Sequence, residues 1–328
     1  MIIGGAEDKL RGRTILRDFV AASGGAQARI AVIPTASSLG AEVVEVYDAL
    51  FRREGAADVV AIRPESRDDA HDPVLVRSLA DATGIFMTGG NQLKLSAIVC
   101  GTPLGDAIVE AHERGVVVAG TSAGASIQSS HMVAFGVGGS TPKQRMTQVA
   151  AGLGLLRSSV IDQHFAQRER YGRLLMIVAQ SPQLLGLGVD EDTCAVVEHE
   201  ILDDGTDREV LRVRGRGAVT IFDPARITTN AFEARRSAPL LASGVVLHVL
   251  PEGSAFDLTA RALLPHEAQV AAEDVAELAE AGRDLRRMAR DIAAGDVSPT
   301  TLKRRQARQE KKKKTKKDDA SPTNGASS

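Results

Sequence analysis

The stretch Val116-Val-Val-Ala-Gly-Thr-Ser-Ala-Gly-Ala125 decides how this chain folds. Its first four residues, Val116 to Ala119, are apolar and predict a buried strand, and the small residues after them lead into a segment compatible with a helix. A serine between small neighbours at such a bend is typical of a nucleophile elbow, because a larger side chain beside Ser122 would collide with the adjoining strand or helix. An ordinary glycine-rich turn has the same composition, so the pentapeptide Gly120–Gly124 alone leaves both interpretations open.

Short apolar runs alternate with helical patterns through about the first two hundred residues, which predicts βαβ units and a mostly parallel sheet flanked by helices. The helices expected between the strands cover residues 9–22, 40–53 and 92–99. The predicted strands are Ile2–Ile3, Ala28–Ile33, Val59–Ile62, Gly84–Met87, Val116–Ala119 and Leu185–Val189. After about Asp192 turn residues separate the apolar runs, which indicates antiparallel strands at the edge of the same domain.

Polar loops follow several of the predicted strands. In open α/β sheets, ligands collect at the carboxyl ends of the strands. The loops at residues 34–37 and Thr88–Gln92 are therefore expected to line one face of the molecule together with Ser122.

The composition of the 328 residues is that of a soluble globular protein. No apolar run approaches the roughly 18 to 20 residues that span a membrane. The amino terminus has neither a basic region nor a long apolar stretch, so we expect a cytoplasmic protein that binds no membrane. Cys100 and Cys194 belong to no C-x-x-C pattern, so we expect no disulfide framework, no metal site and no other cofactor.

The chain changes character near residue 265. Apolar residues spaced three and four apart between Pro265 and Ala294 predict one helix, which we expect to pack on the parent domain rather than to dimerise as a coiled coil. Between Lys303 and Lys317 there are ten basic residues and one acid. The predicted organisation is a catalytic domain over residues 1–264, a helical extension over 265–298 and a disordered basic tail over 299–328.

A serine nucleophile needs a base, and His164 is the best placed of the seven histidines. It lies where the apolar pair Val160-Ile161 gives way to polar residues, the usual place for a catalytic side chain in this architecture. His131 is expected on the helix after the elbow, pointing away from the strand ends. A purely structural histidine at position 164 stays an alternative.

The acidic residues Asp190-Glu191-Asp192 directly follow the predicted strand at residues 185–189. Adjacent carboxylates repel one another, so at least one of them is expected to have a basic partner. A solvated acidic turn is the alternative. The resulting order of serine, histidine and acid differs from the serine, acid, histidine order of ordinary α/β-hydrolases.

Four further polar residues follow His164 at Gln167, Arg168, Arg170 and Arg173. Guanidinium groups bind carboxylates through two parallel hydrogen bonds, which favours a substrate-binding role. An exposed basic helix face is equally compatible with the spacing.

Five motifs together resemble the cyanophycinase family of serine peptidases, which is related to dipeptidase E. The motifs are Gly4–Lys9, Thr88–Gln92, Gly120–Ala125, Asp162–Arg173 and Asp190–Thr193. The resemblance covers about residues 2–264. It implies a fold like that of class I glutamine amidotransferases, a homodimer, and the hydrolysis of cyanophycin, a poly-aspartate that carries arginine on each side-chain carboxyl, to β-aspartyl-arginine dipeptides.

The resemblance also implies roles for individual residues. Ser122 matches the nucleophile, His164 the base and Glu191 the acid that orients the base. The oxyanion hole falls on the backbone N–H groups of Gly89 and Ala123. Substrate contacts fall on Gln92, Asp162, Gln163, Arg168, Arg170 and Arg173, where the arginines would hold carboxylates and Asp162 would meet a substrate guanidinium.

Two other functions stay open from the sequence. One is a related peptidase that cleaves short aspartyl dipeptides. The three arginines argue against it, because a small dipeptide needs fewer cationic contacts. The other is a non-catalytic protein that binds the polymer or nucleic acid through its basic tail. A lysine run without aromatic residues gives nucleic-acid binding little support.

Overall fold

The computed structural model describes residues 1–265, which form strands and helices around two main sheets. The helical extension and basic tail predicted from the sequence lie outside the described residues from position 266 onward. The helices are α1 (Thr14–Ala22), α2 (Ala41–Arg53), α3 (Pro73–Arg77), α4 (Gln92–Val99), α5 (Pro103–Glu113), α6 (Ala123–Ser126) and α7 (Tyr171–Gln180).

The strands are β1 (Ile2–Ile3), β2 (Arg29–Ile33), β3 (Asp58–Ala61), β4 (Gly84–Met87), β5 (Val117–Thr121), β6 (His131–Gly136), β7 (Thr147–Ala151), β8 (Ser159–Gln163), β9 (Leu185–Val189), β10 (Thr193–Ile201), β11 (Asp207–Gly215), β12 (Ala218–Asp223), β13 (Thr228–Thr229), β14 (Ala242–Ser243), β15 (Val246–Pro251), β16 (Ala255–Asp257) and β17 (Ala262–Leu263).

The larger sheet has nine strands and combines a parallel half with an antiparallel half. Strands β1, β5, β4, β2 and β3 lie side by side in parallel. Beyond β1 the sheet continues through the antiparallel strands β10, β11, β16 and β17. The predicted α/β fold with antiparallel strands at one edge is found in the described part of the chain. The predicted mostly parallel sheet is not, because β10, β11, β16 and β17 all pair in antiparallel fashion.

The second sheet was not predicted. It has four strands in the order β15-β12-β9-β8, of which only β8 and β9 are parallel. The strand at residues 185–189 was expected beside the other parallel strands, but it lies in this second sheet, and β10 occupies the edge of β1. Ile2 pairs with Ala195 and Ile3 with Cys194, whereas β9 pairs with β12.

The first helix is shorter than the predicted span of residues 9–22, because it begins at Thr14. The carboxylate of Asp8 explains the difference. Its two oxygens accept hydrogen bonds from the backbone N–H groups of the four residues from Leu10 to Arg13. These N–H groups are held in a tight loop around one side chain, so the chain cannot begin its helix before Thr14.

The prediction that His131 lies on a helix is wrong. The helix after the elbow ends at Ser126, and His131 begins β6, where it pairs with Ala151 of β7. Met132 and Val133 next to it are completely buried. The segment from His131 to Gly136 is therefore a strand and does not continue the helix.

Both sheets bring strand ends to one place. Ile3 of β1 pairs with Thr121 of β5, and Met87 of β4 pairs with Gly120, so these three parallel strands end level with one another. The ends of β8 and β9 are joined to them by backbone hydrogen bonds, such as that from the N–H of His164 to the carbonyl of Gly4 at 2.8 Å. In residues 1–265 no helix has the length and apolar character needed to cross a membrane.

Candidate active site

The bend between β5 and α6 has the geometry of a nucleophile elbow. Ser122 adopts φ 53° and ψ −106°, a strained conformation for a residue with a side chain. A Cβ atom on Gly120 would lie 2.0 Å from the carbonyl oxygen of Gly124, and a Cβ atom on Gly124 would lie 2.1 Å from the carbonyl oxygen of Met87. Only glycine fits at either position, so the two glycines flanking the serine are required by close backbone packing around it.

Ser122, His164 and Glu191 are joined in one hydrogen-bonded line. The Nε2 atom of His164 lies 3.0 Å from the Oγ of Ser122. On the other side of the ring, Nδ1 lies 2.6 Å from Oε1 of Glu191. The side chain of His164 is 10% exposed and that of Glu191 is 36% exposed, so the base is sheltered while the site stays open to solvent. This geometry suits proton transfer from the serine to the histidine.

The Gly4-Gly5 pair makes room for the imidazole ring. Gly5 has φ 104°, and a Cβ atom there would lie 2.3 Å from Cε1 of His164. A Cβ atom on Gly4 would lie 1.9 Å from the carbonyl oxygen of Asp190. Sequence reasoning assigned no role to these glycines individually, although two adjacent glycines directly after a strand were the available signal.

The three adjacent carboxylates point to different partners. Asp190 accepts hydrogen bonds from the backbone N–H groups of Ala166 and Ala218, at 3.0 and 3.1 Å. Asp192 accepts one from the N–H of Asp8 at 2.8 Å. Only Glu191 reaches the histidine ring. Each carboxylate has its own donor, which offsets the repulsion expected between neighbouring charges.

Gly89 and Ala123 both lie beside the serine. Ala123 is the first residue of α6, so its N–H has no carbonyl within its own helix to bond. A Cβ atom on Gly89 would lie 3.3 Å from Cβ of Ser122. Gly90, the neighbouring glycine, has φ 143° and packs on Ala36, where a Cβ atom would lie 2.0 Å from the carbonyl oxygen. The structure thus brings Gly89 rather than Gly90 against the serine side chain.

Asp162 does not face a substrate-binding surface, contrary to the expectation that it would meet a substrate guanidinium. It is completely buried, and its two oxygens accept hydrogen bonds from Arg173 at 2.5 and 2.6 Å and from Arg170 at 3.1 Å. Arg170 also donates to Oε1 of Gln163 at 2.6 Å. Burial lowers the pKa of Arg170 to about 10, so it keeps its charge at neutral pH.

The other predicted substrate-binding residues fall into two groups. Gln163 is buried and donates from Nε2 to Oε1 of Gln92 at 3.0 Å, and Gln92 donates in turn to the backbone carbonyls of Val133 and Ala134. Gln92 and Gln163 are joined through Arg170 to Asp162 and Arg173, and we refer to these five residues as the buried layer. Arg168 is exposed, and no carboxylate within the described chain forms an ion pair with it. It is therefore the predicted substrate-binding cation that is most accessible.

The surroundings of His164 keep its ring neutral at pH 7. Burial lowers its pKa below the ordinary value of 6.5, and the positive charges of Arg168 and Arg170 lower it further. The hydrogen bond to Glu191 acts in the opposite direction without reversing the shift. A neutral imidazole can accept the proton of Ser122, which a protonated one cannot.

Sequence reasoning missed the buried carboxylate of Glu7. It accepts hydrogen bonds from the hydroxyls of Thr121 and Tyr47, at 2.6 and 2.5 Å, and from Nζ of Lys9 at 2.7 Å. Burial raises the pKa of Glu7, but Lys9 and the three hydrogen bonds outweigh it and lower the pKa below 4.5. Because Thr121 directly precedes Ser122, this cluster anchors the end of the strand that carries the serine.

No group of three or more His, Cys, Asp or Glu side chains between residues 1 and 265 is arranged to hold a metal ion. Cys194 is completely buried, and burial raises the pKa of its thiol to about 12. Such a thiol stays protonated and unreactive at neutral pH.

The fold and the site define a hydrolase with an α/β architecture. The family model of peptidase family S51 matches residues 1–203, and the chain belongs to this family.

The curated relatives of this chain include several cyanophycinases. The cyanophycinase of Nostoc sp. strain PCC 7120 is 41% identical over 268 residues, which cover 81% of this chain and 87% of the relative. That of Synechococcus elongatus is 40% identical, and the match covers 79% of this chain and 78% of the relative. That of Geminocystis herdmanii is 37% identical, and the match covers 78% of this chain and 92% of the relative. The resemblance inferred from the motifs is confirmed.

Among solved structures, a peptidase from an acI-B1 Actinobacterium superposes with a TM-score of 0.51. It covers 75% of this chain and 95% of that one at 21% sequence identity. At this identity the likeness supports the mixed α/β fold alone.

Proposed function

We propose that this chain is a cyanophycinase, a serine-type exopeptidase that releases β-aspartyl-arginine dipeptides from cyanophycin. The observation that carries the proposal is the hydrogen-bonded line from Ser122 through His164 to Glu191, in a chain about 40% identical to curated cyanophycinases over most of its length. The exposed guanidinium of Arg168, close enough to His164 to affect its charge, supports a substrate that carries carboxylates.

The geometry supports the following sequence of steps for the proposed reaction. His164 accepts the proton of the Ser122 hydroxyl as Oγ attacks the carbonyl carbon of a backbone amide, and Glu191 holds the ring in place through Nδ1. The backbone N–H groups of Ala123 and Gly89 stabilise the negative charge that develops on the carbonyl oxygen. The proton then passes from His164 to the leaving amine, which breaks the amide bond and leaves an acyl-enzyme. Water, activated by the same histidine, hydrolyses the ester and restores the serine.

The chemistry of cyanophycin assigns different tasks to the cations. Its aspartate side-chain carboxyls are consumed in amide bonds, so its free carboxylates along the chain are those of the attached arginines. Arg168, which is exposed, can bind such a carboxylate directly. Arg170 and Arg173 are held by Asp162 in the buried layer, so we assign Asp162 a positioning role rather than a direct substrate contact.

The finer architectural expectations belong to the same proposal. A fold like that of class I glutamine amidotransferases is supported by the position of Ser122, directly after the second strand in the parallel order β1-β5-β4-β2-β3. A homodimer and a cytoplasmic location rest on the resemblance and on the sequence composition. Sedimentation equilibrium of the purified full-length chain measures the oligomeric state directly.

The experiment that tests the proposal is incubation of the purified protein with insoluble cyanophycin, followed by mass spectrometry of the released products. We expect β-aspartyl-arginine as the product, with no oligomers of intermediate length if cleavage proceeds from a chain end. Ser122→Ala should release none. Ser126→Ala is a matched control, because Ser126 lies on the same short helix and its buried hydroxyl has no hydrogen-bond partner in the described structure. Hydrolysis of α-aspartyl dipeptides without release from the polymer would favour a dipeptidase instead.

A further inference from the structure

The β6–β7 hairpin borders the candidate site along one edge. Strand β6 pairs with β7 on one side only. From the other side, its backbone carbonyls accept hydrogen bonds from the side chains of the buried layer. Gln92 donates to Val133 and Ala134, and Arg173 donates to Gly136 at 3.0 Å. The hairpin is therefore fixed directly against the residues that support the site.

The loop that joins the two strands packs tightly on the segment that carries Arg168. The N–H of Gly139 donates to the carbonyl of Glu169 at 2.6 Å, and the N–H of Gly172 donates to the carbonyl of Gly139 at 2.7 Å. A Cβ atom on Gly138 would lie 2.4 Å from the carbonyl oxygen of Arg168. Because these contacts are between backbones, the side chains of the hairpin and those near Arg168 are held beside one another.

The outer side chains of the hairpin have no role in the fold or in the mechanism described above. Phe135 is 65% exposed and Val137 is 63% exposed. Lys143 and Arg145 are also exposed, and neither forms an ion pair with any residue in the described range. We refer to these four residues as the hairpin surface. Val137 directly precedes the glycines that pack on the Arg168 segment, whereas Lys143 and Arg145 flank Gln144, which bonds to Ala238. Two apolar side chains and two cations that have no ion pair within the described range, exposed on one hairpin, indicate a binding surface.

We propose that the hairpin surface binds the repeat units of a cyanophycin chain that lie beyond the two units joined by the amide being cleaved. This inference rests on the proposed function. A polymer held at Ser122 has to continue across the rim of the site, and the hairpin is fixed to the buried layer through Gln92 and Arg173.

The chemistry of a repeat unit matches the side chains of this surface. Each unit carries a free carboxylate and a guanidinium group on an aliphatic stem. Lys143 and Arg145 complement the carboxylates, and the ring of Phe135 can take a guanidinium over its face. Val137 offers an apolar contact for the methylene stem. Glu169, exposed on the adjoining segment, provides a carboxylate for a second guanidinium.

The first test compares two substrates. One contains two repeat units joined by a single scissile amide, and the other is soluble polymer. The charge-reversal variant Lys143→Glu with Arg145→Glu should raise KM for the polymer about tenfold while leaving kcat/KM for the two-unit substrate within about twofold. Normal turnover of the small substrate also shows that the variant is folded. An unchanged KM for the polymer, or an equal loss on both substrates, would overturn the inference.

The matched control carries the same change in net charge elsewhere. Arg77→Glu with Arg114→Glu alters two exposed arginines at the ends of α3 and α5. These helices lead into the amino-terminal ends of β4 and β5, whereas Ser122 follows the carboxyl end of β5. We expect no change in KM for the polymer. A rise equal to that of the hairpin variant would show a general charge effect and would contradict a local subsite.

A binding measurement separates this inference from the proposed function. In the background of Ser122→Ala, full-length protein is co-sedimented with insoluble cyanophycin, with and without the two hairpin substitutions. We expect the single variant to sediment with the polymer and the triple variant to stay largely in solution. If both variants sediment equally, or if neither sediments, the inference that the hairpin surface binds the polymer is overturned. Failure of the wild-type protein to cleave either substrate would instead count against the proposed function.

Discussion

Gly5 lies against the imidazole ring of His164 so closely that a Cβ atom at position 5 would be 2.3 Å from Cε1 and 2.5 Å from Nε2. The ring therefore reaches Ser122 only because residue 5 has no side chain. Since Gly5 also adopts φ 104°, any substitution there is strained by its own backbone as well as by the contact.

Replacing Gly5 by alanine should lower kcat by at least about 100-fold, because a displacement of roughly 1 Å in a catalytic group costs about that much. Gly12→Ala is the matched control in the same loop, since its Cβ atom would meet only ordinary contacts at 3.5 and 3.6 Å. Steady-state kinetics on soluble polymer measures both variants. Full activity in Gly5→Ala would mean that the ring can function in another position.

Glu191→Gln should reduce kcat by about 10³-fold or more, because an amide can no longer stabilise the imidazolium or hold the correct tautomer of His164. Asp192→Asn is the control next to it. Its side-chain oxygen can still accept the hydrogen bond from the N–H of Asp8, so its kcat should stay close to that of the wild type. Activity of Glu191→Gln within tenfold of wild type would remove Glu191 from the proposed mechanism.

The pH profile of kcat/KM should rise with a midpoint below 6.5, because burial and two nearby arginines lower the pKa of His164. The protonated ring is inactive, so activity is lost as the pH falls through this pKa. A midpoint above 6.5 would contradict the shift.

Removing one of those positive charges should move the midpoint in a known direction. In Arg168→Ala the imidazolium has one fewer repulsive neighbour, so its pKa rises and the acid limb shifts to higher pH. Arg114→Ala removes an exposed arginine near the amino-terminal end of β5, far from the strand ends that carry the site, and should leave the midpoint unchanged. The comparison is made from the midpoints alone, so a change in substrate affinity does not affect it. A shift to lower pH in Arg168→Ala would contradict the electrostatic explanation.

Much of the site could be predicted because its residues follow apolar runs. Ser122 and His164 come directly after buried strands and Glu191 two residues after one, and the ends of such strands meet in an α/β fold. Glycines at positions 120 and 124 marked the sharp bend. These signals are local, so a single sequence contains them.

The remaining features depend on pairings between distant segments. Asp162 has the chemistry of a substrate contact, but it is buried, and α7, which packs on β9, brings Arg170 and Arg173 to it on the neighbouring strand β8. In the second sheet β9 pairs with β8 and β12, while the edge of β1 is paired with β10. The anchoring of β5 by Glu7 likewise joins residues more than a hundred positions apart.

The buried layer gives a final prediction that separates a positioning role for Asp162 from direct substrate contact. Asp162→Ala leaves Arg170 and Arg173 without their buried carboxylate, which should lower the free energy of unfolding by about 3–5 kcal/mol. Glu200→Ala removes a carboxylate that pairs with Arg208 and Arg212 at the protein surface, and should change stability little. Urea denaturation followed by circular dichroism measures both. If Asp162 served only to bind substrate, its variant would keep wild-type stability and show a raised KM; a large loss of stability instead identifies it as the group that holds the two arginines in place.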